Sequence, residues 1–194
     1  MRFNEHYALK GQHAFLSASK YSWDRYDEEK LIDTWRTAQA SRIGTERHAF
    51  AAEAIRLGIR LRGTNTLASY VNDAIGYRMA PEQILVYSPN IFGTADTITF
   101  RANKLRIHDY KSGTVTPGNM RQLEIYTAIF CLEYGHRPGE IEIELRIYQM
   151  DEIVVHHPEV ESIAELMSKI ITFDKIIERL KAEARTAAQA VYGK

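Results

Sequence analysis

The sequence predicts an α/β fold in which a central mixed β-sheet is covered by helices. Three observations carry that prediction: a helix-forming first third, a middle that switches to short β-rich runs, and an amphipathic helix set between two groups of strands. With 194 residues, 45% of them hydrophobic and 26% charged, the chain can bury a sizeable core and is too apolar to stay disordered. No internal repeat, low-complexity tract or Pro/Ser linker marks a cut. The expected organisation is one domain over 1–194, mainly helical over 1–80, with a sheet and helix over 81–156 and a helical tail over 157–194.

The elements follow in order. Ser17-Ala18-Ser19-Lys20 offers cap residues ahead of an aromatic segment with Tyr21, Trp23 and Tyr26. Residues 27–40 are good helix formers, with Leu31, Ile32 and Trp35 at helical spacing. Gly44-Thr45 reads as punctuation, and 46–59 as a second helix with Thr45 as its cap and Glu46 placed to favour the dipole. Residues 66–79 read as one more helix, ending before Pro81. Strands are expected at 83–87, 92–100 and 105–110, the last two joined by the turn-like 101–104. Residues 120–134 form an amphipathic helix closed by Gly135. Residues 140–149 alternate charged and apolar, with Ile141, Ile143, Leu145 and Ile147 on one face, the pattern of a half-buried strand. Residues 153–156 are its hairpin partner. In the tail, 160–192, Ile163, Leu166, Ile170, Phe173, Ile177 and Leu180 fall near heptad spacing and are expected to pack on the sheet, an oligomer interface being the lesser reading.

Composition excludes several classes. Twenty-five Lys and Arg balance twenty-five Asp and Glu, so no global basic field advertises nucleic acid, although a local groove can still be basic. The single cysteine, Cys131, excludes a disulfide scaffold, an all-cysteine zinc site and a four-cysteine iron–sulfur cluster. No apolar run approaches the ~20 residues of a membrane span, and Met1-Arg2-Phe3-Asn4-Glu5-His6 lacks the apolar core of a secretory signal. A cytoplasmic protein with no membrane partner is the expectation.

The chemistry-bearing stretch is Phe92-Gly93-Thr94-Ala95-Asp96, followed by Ile107-His108-Asp109-Tyr110-Lys111-Ser112-Gly113. On an extended strand Asp109 and Lys111 share a face with Ile107. With Asp96 on the neighbouring strand they make a compact acid–acid–cation site. Two close carboxylates repel, so they coexist only by sharing a proton or binding a divalent cation. Hard cations such as Mg2+ take such oxygen ligands and retain waters. A lysine beside them can prepare water or stabilise charge on a phosphoryl transition state. Metal-assisted phosphodiester hydrolysis is the natural chemistry. Each motif alone is weak, since Asp-x-Lys is usually a surface pair and Gly-x-x-Asp usually a turn. Their order on adjacent predicted strands strengthens both, as do Gln122 and Tyr126, spaced to face the same way on the next helix.

Together, Gly93-Thr94-Ala95-Asp96, Ile107 to Gly113 and Gln122-Leu123-Glu124-Ile125-Tyr126 resemble the signature of the RecB-like PD-(D/E)xK nucleases, over about 17–149. The upstream Gly44-Thr45-Glu46-Arg47-His48 matches that family's helical histidine. The resemblance implies a restriction-endonuclease-like core and a Mg2+ (or Mn2+)-dependent DNA exonuclease of the standalone phage or bacterial type. Asp96, Asp109 and His48 would hold the metal, with the carbonyl of Tyr110. Lys111 would position or activate water, Gln122 would orient Lys111 or the scissile phosphate, and Tyr126 would contact substrate. Glu53 is a weaker outer carboxylate, since five residues from His48 turns it around the helix. Ala95 replaces the nominal proline, and His108, on the face away from Asp109, is expected to be a satisfied histidine behind the site.

DNA with free ends is the implied partner, in recombination, repair or phage DNA metabolism, with a helicase or recombinase supplying any unwinding. Between residues 36 and 62 stand six arginines against Glu46 and Glu53, so Arg42 and Arg47 are candidate phosphate contacts, a solvated helical face being the alternative. Tyr21, Trp23, Tyr26 and Trp35 could stack on bases, though helically spaced aromatics more often form core. Two other functions fit the same fold: a non-catalytic DNA-binding or assembly subunit, and a site-specific endonuclease.

Overall fold

The computed structural model describes residues 14–112 and 119–192. It divides into two compact units, Met1–Thr45 and Glu46–Lys194. In the first unit, a 3-10 helix, Ala18–Arg25, is tied by Trp23 Nε1 donating to the Ser17 carbonyl at 2.8 Å. Asp27 Oδ1 then accepts from Lys30 N at 2.8 Å and caps helix α1, Glu28–Leu57. Phe15 packs edge-on against Trp35, ring centroids 5.0 Å apart.

Helix α1 corrects the expectation of two helices split at Gly44-Thr45. Thr45 is no cap: its hydroxyl donates back to the Ser41 carbonyl at 3.1 Å from within a continuous helix. A glycine in a helix interior costs about 1 kcal/mol, too little to break a helix whose neighbours on both sides are good formers.

In the second unit, helix α2, Thr66–Gly76, is capped by Asn65, whose Oδ1 accepts from Ala68 N at 2.8 Å. Strands β1 (Ala80–Ser88), β2 (Ile91–Arg101) and β3 (Lys104–Lys111) form an antiparallel meander. Ala102 and Asn103, with φ of 48° and 59°, make the two-residue turn that closes the β2–β3 hairpin. Helix α3 (Asn119–Tyr134) crosses over to β4 (Glu142–Gln149), which pairs with β3 in parallel. Strand β5 (Glu152–His156) returns antiparallel on β4, and helix α4, Val160–Tyr192, closes the chain. The sheet order is β1-β2-β3-β4-β5. This is the α/β fold with a mixed sheet flanked by helices that the sequence predicts.

Gly135 ends α3 as expected. Its φ of 70° lets His136 N reach back to the Cys131 carbonyl at 2.9 Å. One face of the sheet buries Leu105, Ile107 and Leu145 against Leu123 and Ile129 of α3. The other buries Tyr110 and Tyr148 against Ala51 and Ile55 of α1 and Tyr70 and Val71 of α2.

Two further expectations need correction. Strand β4 is buried on both faces, not one. Its charged face meets α2: Glu144 receives Lys104 at 2.8 Å, Arg106 at 3.2 Å and Arg146 at 2.8 Å, and Arg146 reaches Asp73 at 3.3 Å. The Arg106 guanidinium sits 4.5 Å above the Tyr77 ring. Alternating charge on a strand looks the same whether it faces water or a mutually neutralising cluster. Helix α4, for its part, lies on α3. Its Ile163, Leu166 and Ile170 join the core, Phe173 and Leu180 remain exposed, and Asp174 anchors the β1–β2 turn through Ser88 (2.5 Å) and Asn90 (2.8 Å). Among the described residues no helix is long and apolar enough to cross a membrane.

Candidate active site

The site forms where a strand ladder stops. Pairing of β2 with β3 runs from Arg101↔Lys104 to Thr97↔His108 and goes no further. Past that point the side chain of Asp96 takes the place of a backbone acceptor: its Oδ2 receives Tyr110 N at 3.3 Å. Strand β3 stays paired with β4, Asp109 opposite Ile147 and Lys111 opposite Gln149. The result is a notch between splayed strands, with Asp96 on one wall and Asp109 and Lys111 on the other.

Within the notch, His48 Nδ1 lies 3.1 Å from Asp96 Oδ2, and Lys111 Nζ lies 3.0 Å from Asp109 Oδ2. The second contact is an ion pair, and Lys111 is the one group that answers the buried Asp109 Oδ2 among the described residues. Asp109 is only 3% exposed. Its burial, then the negative charge of Asp96, push its carboxyl up to about 7 against the pull of Lys111. Asp96 goes the other way. Burial raises it, but the His48 hydrogen bond and charge, the Tyr110 N–H and Lys111 together hold it below the ordinary carboxylate value. The same hydrogen bond raises His48 in spite of its burial. Two neighbouring acids driven apart in this way suit a proton holder beside a permanent anion.

Of the residues expected at the site, His48, Asp96, Asp109, Tyr110 and Lys111 converge. Tyr110 contributes its N–H to Asp96, and its ring lies 5.7 Å from that of His48 and 5.8 Å from that of Tyr70. Gln122 and Tyr126 share a face of α3 as their spacing requires. The Gln122 amide donates to the Tyr126 hydroxyl at 3.0 Å rather than to Lys111. The Tyr126 ring lies against Gly93, where an added Cβ would come within 2.8 Å of Tyr126 Cε1. The connection over 113–118, Gly113 included, lies outside the described residues.

Glu53 does not join the notch; it is exposed and pairs with Arg56 at 3.6 Å. Glu82, which sequence reasoning missed, comes instead, lining a small cavity of about 90 Å3 with His48, Tyr70, Thr94 and Asp96. It sits in β1 at a φ of 52°, and Arg56 holds it at 2.5 Å. Nothing in the sequence marks a left-handed residue after Pro81. Tyr70, also missed, reads as ordinary core from its helical spacing.

The arginines have different partners. Arg42 hydrogen-bonds Gln39 at 3.2 Å, Arg36 pairs with Asp33 at 4.0 Å, and Arg56 is engaged by Glu53 and Glu82. Arg47 lines an open cleft with Lys111. Of the early aromatics, Trp35 is exposed, Trp23 is bonded to the backbone, and the Tyr21 side chain lies outside the described residues. His108 is buried behind Asp109 as expected but only half satisfied: Nδ1 meets the Tyr148 hydroxyl at 3.2 Å, while Nε2 has no partner. Burial, aided by Arg146, drives it down to about 3, so it is neutral.

Among the described residues no group of three or more His, Cys, Asp or Glu forms a ready metal cage. A hard divalent cation that keeps most of its waters does not require one; it is held by one or two carboxylates. Asp96 and Asp109 are two such groups. The buried Asp109 oxygen, answered by Lys111 alone, and the repulsion that raises its carboxyl are the features a bound cation would relieve. The donor set fits such an ion, with His48 engaged in orienting Asp96. A family model described as "Protein of unknown function (DUF2800)" matches residues 82–192, which takes in both aspartates and Lys111. No curated protein matches the chain.

Proposed function

The chain belongs to the DUF2800 family, and on the chemistry of its notch we propose that it is a divalent-cation-dependent deoxyribonuclease of the RecB-like PD-(D/E)xK type. It hydrolyses phosphodiester bonds from DNA ends, in recombination, repair or phage DNA metabolism. One observation carries this reading: two aspartates meet past the end of the β2–β3 ladder, and Lys111 stands 3.0 Å from the buried Asp109 Oδ2.

Asp96 and Asp109 would hold a Mg2+ or Mn2+ ion, which would supply Lewis-acid polarisation of the scissile phosphate and acidify water. The protein's own groups do the rest. His48 and the Tyr110 N–H fix Asp96 as an anion. Asp109, raised to about 7, would hold such an ion only as the carboxylate, which would tie binding to pH. Lys111 orients the water and offsets charge gathering on the phosphoryl oxygens. Tyr126, its hydroxyl held by Gln122, meets the strand, and Arg47 meets phosphates.

End-labelled single- and double-stranded DNA incubated with Mg2+ tests the reading. Lys111→Ala should cut at least about a hundredfold more slowly, with cation-dependent DNA binding retained and closed circles left intact. Cleavage by this variant at the normal rate overturns the mechanism. Inactivity of the native chain on every DNA or RNA end, across metal concentrations, leaves the non-catalytic subunit in its place.

A further inference from the structure

Beside the notch, and sharing Lys111 with it, lies a cleft of about 350 Å3, within the size range that takes a small ligand. Its lining has two characters. Arg47 of α1, Lys111 at the end of β3 and the hydroxyl of Ser112 make a polar, cationic side. Leu67, in the first turn of α2, and Met150, at the β4–β5 turn, make an apolar side. Met150 is 64% exposed.

That apolar tip is held in place. Met150 and Asp151 have φ of 46° and 62°, the two-residue turn that matches strand twist. Asp151 N donates to Thr66 Oγ1 at 2.8 Å, and Thr66 Oγ1 donates to Asp151 Oδ1 at 3.1 Å, so the turn is bound to the start of α2. Asp151 is the one carboxylate in the lining, and the Thr66 hydroxyl engages it. Arg47 presents the planar donor fork that suits a phosphate.

A pocket for an inorganic anion has no use for Leu67 and Met150, and a purely apolar pocket has none for two cations. A nucleotide unit has both halves. We propose that this cleft is a nucleotide subsite of the DNA strand being cut, with Arg47 and Ser112 holding the phosphate next to the scissile one and Leu67 and Met150 covering the attached base. It rests on the deoxyribonuclease reading and deepens it, because it explains how a strand is registered against the notch.

The test measures binding of short fluorescein-labelled single-stranded DNA in an Asp109→Asn background, where nothing is cut. Arg47→Ala should weaken binding about tenfold and lower the salt slope by about 1. Arg47→Lys should restore only part of it, lacking the fork. Met150→Ala should weaken binding about threefold with the salt slope unchanged, and an abasic nucleotide at the subsite should erase that loss. Oligonucleotides with 5′-phosphate, 3′-phosphate or hydroxyl ends separate the sources: an Arg47 effect confined to one phosphorylated end assigns the pocket to a terminal phosphate, and an effect on all of them assigns it to an internal one. In the native background Met150→Ala should raise KM and leave kcat. If Arg47→Ala and Met150→Ala bind and cut like their parents, the subsite is overturned while the nuclease reading stands. If the parent neither binds nor cuts DNA, both fall.

Discussion

Strand β3 and its neighbours carry two charged clusters, on opposite faces of the sheet, and the two carboxylates at their centres behave in opposite ways. Glu144 and Asp109 are almost equally buried, at 6% and 3% exposure. Burial raises both. Around Glu144 the Lys104 hydrogen bond and the charges of Arg146 and Arg106 outweigh it and hold the carboxyl at about 2. Around Asp109 a second carboxylate reinforces burial, one lysine opposes it, and the carboxyl rises to about 7. Asp109 feels burial as its largest influence, and the ratio of partners to charges around each acid sets the direction of the outcome. A buried acid answered by several cations is scaffold, and one answered by a single lysine is available for chemistry.

Removing the two acids should therefore have effects of opposite sign. Glu144→Ala removes the carboxylate that Lys104, Arg106 and Arg146 share and should lower the Tm by about 10 °C. Asp109→Asn removes a buried charge that Lys111 offsets only in part and should raise the Tm by a few degrees at pH 8 while abolishing hydrolysis. Thermal unfolding of both variants beside the native chain decides it; equal losses would erase the distinction.

Titration sharpens the contrast. Folded Asp109 keeps a proton that the unfolded chain has released, so its contribution to stability falls as pH rises from the ordinary 3.8 to about 7. Glu144 works in reverse, contributing fully above 4.5 and losing that contribution as pH falls toward about 2. So does His108, held neutral in the fold: its contribution is complete above 6.5 and lost toward about 3. The Tm gap between Asp109→Asn and the native chain should open above pH 4, level off past 7, and close on adding Mg2+. A flat gap would mean that Asp109 is not the raised acid.

The smallest effect concerns the approach of α3 to β2. Gly93→Ala drives a Cβ to 2.8 Å from Tyr126 Cε1 and should cost about 1 kcal/mol. Tyr126→Ala in the same chain should recover most of it, as read by Tm in a double-mutant cycle.

Local chemistry was legible in the sequence and pairing limits were not. Gly135, the 101–104 turn and the i,i+4 pair Gln122/Tyr126 stood out because each depends on residues a few positions apart. The shared face of Asp109 and Lys111 followed from strand alternation alone. The capture of the Tyr110 N–H by Asp96 did not, because it depends on where the β2–β3 ladder ends. Glu82 was hidden by a left-handed backbone that no residue type announces there. The buried face of β4 and the unbroken run of α1 past Gly44 were settled by packing and helix continuity, which outweighed patterning and propensity.

Asp96 and Asp109 ride the same hairpin, closed by the short turn at Ala102 and Asn103. Hairpins close in about 1–10 μs, whereas the parallel pairing of β3 with β4 must wait for α3 to loop across. The two acids are therefore near neighbours along the chain, whereas His48, which holds Asp96, and β4, which backs Asp109, come from segments far from them in sequence, so the charge pattern of the notch is complete only once the whole second unit has folded.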